Sequence, residues 1–309
     1  KRGRARAHRR RQCQTLCETA LNWDFVFEKL LLAYNGGTIL NENIVPKYLY
    51  HYTDINTLAL ILKHKNIRFN RLDRLDDLNE GLTKDLGEMG KYVFVSCWTE
   101  SSEESIPFWN MYTKDMCGVR IKLKSNPFRL YKIPKLNSNG ITVDIDIDIC
   151  FKLEWLVNND YLVIPKWDML EKVKYTDKEA ELFPNLIKFD GEYTSISFGT
   201  IGQYKRIEWS FQREWRYLVI FMPFSIYEYK VMLNSNNPIQ NIYDRLMSKG
   251  DLPFDDIYLE IAEDAFNDLH ITLGPCVNEG DKIIVEALKN EYCPLAKIED
   301  SVLENTIRR

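Results

Sequence analysis

The segment Trp209 to Phe221, WSFQREWRYLVIF, constrains the fold of this chain more than any other. Its polar start gives way to a nearly continuous apolar run from Tyr217 to Phe221, the pattern of a central strand buried on both faces. At the threshold of that strand stand Gln212 and Glu214, two residues apart and so expected on one strand face. A carboxylate there bears a desolvation penalty that structure alone rarely requires, which marks Glu214 as a candidate catalytic group. An ion pair with Arg213, Arg216 or another surface base explains it equally well.

Other segments supply a sheet and its helices. Tyr48-Leu49-Tyr50-His51-Tyr52 reads as a strand, followed by Asp54 as N-cap and by Ile55, Leu58, Ile61 and Leu62 on one helical face. Ile67 to Asn70 reads as a second strand leading into RLDRLDDLNEG, a polar loop lying over something. Tyr92 to Trp98 is a buried-strand candidate, and SSEESIPFWNMYTKD a loop entering a short helix that bears Phe108, Trp109 and Tyr112. Cys117 to Leu123 alternates as a half-buried strand does. Beyond the central run, Asp256 to Ile261 and HITLGPCVN give strands, Ile283, Ile284, Ala287 and Leu288 one helical face, and Ile298 a last strand. Upstream, residues 14 to 34 carry helical spacing closed by Asn35-Gly36-Gly37.

The middle is less regular. VDIDIDIC sets Asp144, Asp146 and Asp148 on one strand face, where three carboxylates could ligate magnesium or calcium as in a nuclease. A solvated strand face explains them without a metal, and no metal is expected.

The formal charge of -4 conceals an asymmetry, because KRGRARAHRRRQ holds seven of the 41 basic residues and leaves 34 against 45 acidic ones. Residues 1 to 12 therefore read as a basic, flexible arm able to hold nucleic acid through its phosphates, residues 13 to 45 as a helical extension, and 46 to 309 as one α/β domain. No apolar run approaches the roughly 18 residues that span a membrane, so the chain is expected to be soluble and cytoplasmic, with no membrane partner. The seven cysteines form no CxxC pair. They suggest core residues, with Cys97 or Cys117 as the alternative of a thiol nucleophile.

Phosphate-binding glycine loops, GxSxG, HExxH and the dinucleotide fingerprint are all missing, so a cofactor would need another architecture. Of four histidines, His51 stands out between Tyr50 and Tyr52. Its competing reading is a buried imidazole bonded to the backbone. Trp109 and Tyr112 are candidate pocket aromatics.

In order, YHYTDINTLALILKHKNIRFNR, LDDLNEG, VFVSCW, FWNMY, GVRIKL and QREWR resemble the blocks of an uncharacterised bacterial domain family, DUF 2971. A more distant resemblance is to the ADP-ribosyltransferase superfamily, carried by the histidine strand, the helix after it, an aromatic-serine strand and the late glutamate strand. It implies an α/β (α+β) fold with a split, mostly antiparallel or mixed sheet flanked by helices, and NAD as substrate. It further implies that His51 contacts a ribose hydroxyl and that Glu214 is the catalytic carboxylate, with Gln212 matching a Q/E-x-E pattern. The third site member lies among Ser96, Tyr112 and Tyr52. The activity implied is transfer of ADP-ribose to a protein, RNA or DNA by a toxin or phage-defence effector with an antitoxin or defence-complex partner. The alternative is a non-catalytic module that senses a nucleotide or binds a partner or nucleic acid.

Overall fold

The computed structural model describes residues 45–307 except 134–135, 139–140, 144–146, 157, 159, 165–168, 190–193, 249 and 251. The basic arm, the expected N-terminal helix, Asp144 and Asp146 lie outside the described residues.

Among the described residues, ten strands form one sheet: β1 (Tyr48–Thr53), β2 (Asn66–Arg71), β3 (Val93–Thr99), β4 (Val119–Lys124), β5 (Leu162–Ile164), β6 (Leu170–Lys172), β7 (Glu214–Met222), β8 (Asp256–Glu260), β9 (His270–Leu273) and β10 (Lys297–Glu299). Their main order is β5-β7-β3-β1-β4-β9-β10, with β6 also on β7 and with β2 joining β3 to β8. Within this sheet every pairing is antiparallel except β9 with β10, so the fold is mixed α/β around a mixed sheet. As expected, β7 is buried along its whole length, Glu214 to Met222.

Helices cover the sheet where its rows are apolar. One cross-strand row runs His51, Ile121, Ile271 and Ile298 through β1, β4, β9 and β10. Its core also takes Leu58, Ile61 and Leu62 from α1 (Ile55–His64) and Val285 from the last helix. The opposite face receives the short α2 (Ile106–Tyr112), whose Phe108 and Trp109 close on Tyr52 edge to face, at 5.1 and 4.7 Å between ring centres. Downstream come α3 (Ile226–Leu233), α4 (Pro238–Ser248) and α5 (Glu279–Tyr292).

Two expectations are corrected, and one is met over its described part. Asp54 occupies the N-cap position of α1 but does not cap it; its Oδ1 accepts instead from the Lys114 amide, 2.9 Å away. On α5 the buried stripe is Val285 with Leu288 and Tyr292 behind it, while Ile283 and Ile284 are exposed. In VDIDIDIC, Ile147–Ile149 form a short strand paired with Tyr131–Ile133 outside the main sheet, with Asp148 exposed as a solvated strand face requires, while Val143 ends a separate short strand, Ile141–Val143.

The loop LDDLNEG folds back under β7. It turns at Gly81, whose φ of +81° suits glycine, and a side chain there would meet the Gly90 Cα at 2.3 Å. The adjacent Glu80 is thereby fixed and buried. Gly81→Ala combines backbone strain with overpacking and should destabilise the protein by about 1–4 kcal/mol in urea unfolding.

Candidate functional site

Strand β3 has two unlike edges. Against β7 it is paired residue by residue from Val93 to Thr99. On its other edge β2 meets only Phe94 and Val95, and β1 meets only Thr99. Ser96, Cys97 and Trp98 therefore face a split in the sheet. A buried carbonyl without a strand partner must find another donor, and the Cys97 carbonyl finds the His51 ring, with Nδ1 at 2.8 Å. Burial lowers the His51 pKa, so the imidazole is neutral, donates through Nδ1 and presents Nε2 as an acceptor.

A cavity of about 400 Å³ opens at the split, within the range of small-molecule sites. His51, Tyr52, Ser96, Tyr112, Gln212 and Glu214 all line it. They reach it by different routes. Cross-strand register puts Tyr50, Thr99 and Glu214 in one row and His51 one residue out of that row, on the face of Trp98, whose ring lies 5.1 Å away. The split allows side chains from both faces to border one space.

Glu214 is buried at the start of β7 among charges. Its Oε1 accepts from Arg216 Nε at 2.6 Å and its Oε2 faces Lys205 Nζ at 3.3 Å. Arg216, fully buried, also donates to Glu80 Oε1 at 2.6 Å. Burial alone would raise the Glu214 pKa; Arg216 and then Lys205 overcome it and hold the carboxyl down at about 2. Glu80 is the opposite case, pushed up by burial and by the Glu214 charge against the pull of Arg216 and Lys205. Its Oε2 has no hydrogen bond and lies 3.8 Å from Lys205 Nζ.

The network continues toward the cavity mouth. Lys205 donates to Gln212 Oε1 at 2.9 Å, Gln212 Nε2 donates to the Tyr112 hydroxyl at 2.7 Å, and that hydroxyl donates to Asp76 at 3.3 Å. Burial, with Asp76 and Glu214 nearby, raises the Tyr112 pKa, so its phenol stays protonated. Gln212 is not on the strand with Glu214. It ends the 3-10 turn Ile207–Gln212, and Arg213, at φ +44°, breaks the path between them. The two side chains nevertheless meet at one cation, Lys205.

Other candidates fall out differently. Trp109 is fully buried, donates to Glu104 Oε2 at 3.0 Å and does not border the cavity, because it packs behind Tyr52. Tyr52 borders the cavity, but its hydroxyl accepts from the Ser105 amide at 3.0 Å. Ser96 accepts from Trp98 Nε1 at 3.0 Å. The Cys97 thiol is pushed far up by burial and by Glu214, away from the thiolate form, and the Cys117 thiol donates to the Cys276 carbonyl. Lys205, Glu80 and Arg216 were not read as site residues from the sequence. Of these, Arg216 alone was named, as an ion-pair partner of Glu214, and that pair forms. Among the described residues no three His, Cys, Asp or Glu side chains converge as a metal site, and no helix is long and apolar enough to cross a membrane.

Comparisons with protein-family models, curated proteins and solved structures give no match.

Removing one partner from a buried ion pair leaves an uncompensated charge. Arg216→Met should therefore cost about 3–5 kcal/mol in urea unfolding, whereas Glu80→Gln should cost much less, since its charge is already disfavoured. Acid should separate the two carboxylates. The folded pKa of Glu214 lies below the unfolded carboxylate value of about 4.3, so its stabilisation is present above that value and lost as pH falls toward about 2. Glu80 has the opposite sign, its contribution being present at low pH and lost as pH rises through its raised pKa. The unfolding midpoint of Glu214→Gln should thus fall less between pH 5 and 2.5 than that of Glu80→Gln.

Proposed function

We propose that the cavity binds NAD and that the protein is an ADP-ribosyltransferase-like enzyme on a split-sheet fold of that kind. The observation that carries this reading is the convergence of His51, Ser96, Tyr112, Gln212 and Glu214 on one cavity at the split. Five side chains from four separate elements, β1, β3, α2 and the segment entering β7, meet there. Breaking the glycosidic bond to nicotinamide develops positive charge on the ribose. An ionised carboxylate beside the 2′-hydroxyl stabilises that oxocarbenium-like state. Glu214 stays ionised at neutral pH, and Oε2 is its less tightly held oxygen. His51 offers Nε2 to a ribose hydroxyl, while Trp98 and Tyr112 offer rings against which nicotinamide can lie. The bond from the anomeric carbon to nicotinamide breaks, nicotinamide leaves with the electron pair, and a nucleophile of the acceptor forms the new bond.

Incubation with labelled NAD and candidate protein, RNA and DNA acceptors tests this. Glu214→Gln keeps the Arg216 bond to Glu80 and should reduce label transfer or NAD hydrolysis at least about a hundredfold, the scale of losing a charge-stabilising group. Activity unchanged in that variant would sink the assignment.

A second reading is a nucleotide sensor on the same fold, and one observation favours it. Glu214 is balanced by two cations at 2.6 and 3.3 Å, which weakens its field at a ligand. Calorimetry separates the readings: a sensor binds NAD or a related nucleotide, loses affinity in His51→Ala and shows no turnover.

A further inference from the structure

The row that contains Glu214 continues across the sheet, away from the helix-covered face. Register links Glu214, Thr99, Tyr50, Lys122, His270 and Lys297 through β7, β3, β1, β4, β9 and β10. Beside it Tyr48 pairs with Lys124. Adjacent strands sit about 4.8 Å apart, so β1 to β10 make a platform roughly 15 Å wide. Here the side chains do not alternate with apolar ones: Tyr48, Tyr50, Lys122 and His270 are half-exposed, and Lys47, Lys124 and Lys297 exposed.

Two properties define what would lie on this face. First, it is locally positive on an acidic chain: Lys47, Lys122, Lys124 and Lys297, with Arg120 beside Tyr50, stand against Asp268, which pairs with Lys124, Asp264, whose charge also reaches Lys124, and Glu299, which accepts from Thr272. Second, its rings are interleaved with cations. Lys122 Nζ stands 4.3 Å and Lys47 Nζ 5.2 Å from the Tyr48 ring centre, and the Arg120 guanidinium 4.9 Å from that of Tyr50. Charge alone would fit any polyanion, but aromatic rings set among lysines on an open strand face match unpaired bases stacking while phosphates pair with cations. Tyr50 belongs to both the platform and the cavity lining, which places the platform beside the mouth of the site.

We propose that the open face of β1, β4, β9 and β10 binds single-stranded nucleic acid. Resting on the transferase reading, the bound strand is also the acceptor, led along Tyr48 and Tyr50 toward Glu214.

Anisotropy with a labelled single-stranded oligonucleotide of about 12 residues, a length within the usual range of such sites, tests the binding on the full chain. Tyr48→Ala and Lys122→Glu, neither of which borders the cavity, should each weaken binding about 5- to 100-fold, and affinity should fall steeply with salt. The corresponding duplex should bind more weakly, and polyglutamate should displace the oligonucleotide no better than added salt. Unchanged affinity in both variants would place binding elsewhere, for instance on residues 1 to 12, and overturn the proposal. Equal affinity for duplex, efficient displacement by polyglutamate, or a loss in Lys122→Glu alone would overturn it as well, leaving charge without stacking. NAD binding measured on the same samples separates the two readings. Oligonucleotide binding with no NAD binding removes the transferase and keeps the platform, and NAD binding with no effect of Tyr48→Ala does the reverse.

Discussion

Strand β3 is shared by two neighbours on one edge, and neither covers its middle. A continuous partner would pair Ser96, Cys97 and Trp98 into a closed sheet and leave no cavity. Because β1 and β2 diverge instead, the backbone there must be satisfied by something other than a strand, and His51 supplies the donor to the Cys97 carbonyl. The same imidazole is thus a structural bond on one nitrogen and a cavity group on the other. That division matters for interpreting any variant at His51, since loss of the Nδ1 bond leaves a buried carbonyl unpaired at a cost of about 1–3 kcal/mol, apart from any effect on a ligand.

The split also explains the buried ion network. Opening the sheet beside Glu214 leaves a strand threshold that is neither core nor solvent, and the charges there balance within the molecule: Glu80 and Glu214 against Arg216 and Lys205. Arg216 joins the carboxylates by two bonds at 2.6 Å, whereas Lys205 is held at 2.9 to 3.8 Å among three acceptors. Arg216 makes the tighter contacts, and Lys205, buried over the Trp209 ring, is the cation that borders the cavity. An extended loop anchored by Gly81 brings Glu80 under β7, so the electrostatics of the site depend on a turn more than a hundred residues upstream of Glu214.

Much of this architecture was legible locally. The apolar run of β7, the alternation of β4 and the Leu58, Ile61 and Leu62 face of α1 each gave the right element, because burial imposes a period that the chain cannot hide. Ile283 and Ile284 misled for the same reason: two adjacent branched residues suggested a face that the tertiary contacts assign to Val285. Helix α3 begins at Ser225 and Glu228, which form a capping box, a signal present in the sequence but not read there. The network around Glu214 was only half legible. Glu214 and Gln212 stood out beside an apolar strand, but the left-handed Arg213 between them and the return of Lys205 and Glu80 depend on contacts between distant segments, which no local pattern encodes.

Residue parity along β1 distributes the remaining functions. Leu49 and His51 point to the face that carries Leu123, Ile121 and Ile271, which helices α1 and α5 cover. Tyr48, Tyr50 and Tyr52 point the other way, and among the described residues only the last is packed under a helix, α2. One strand therefore lends the core its anchor, the cavity its imidazole and the open face its rings. A shift of β1 by a single residue against β4 would exchange all three roles at once. The backbone pairing of β1 over six residues with β4, against one with β3, sets that register. The cavity wall is thus held from the continuous side of the sheet, and the β3 side remains open to a ligand.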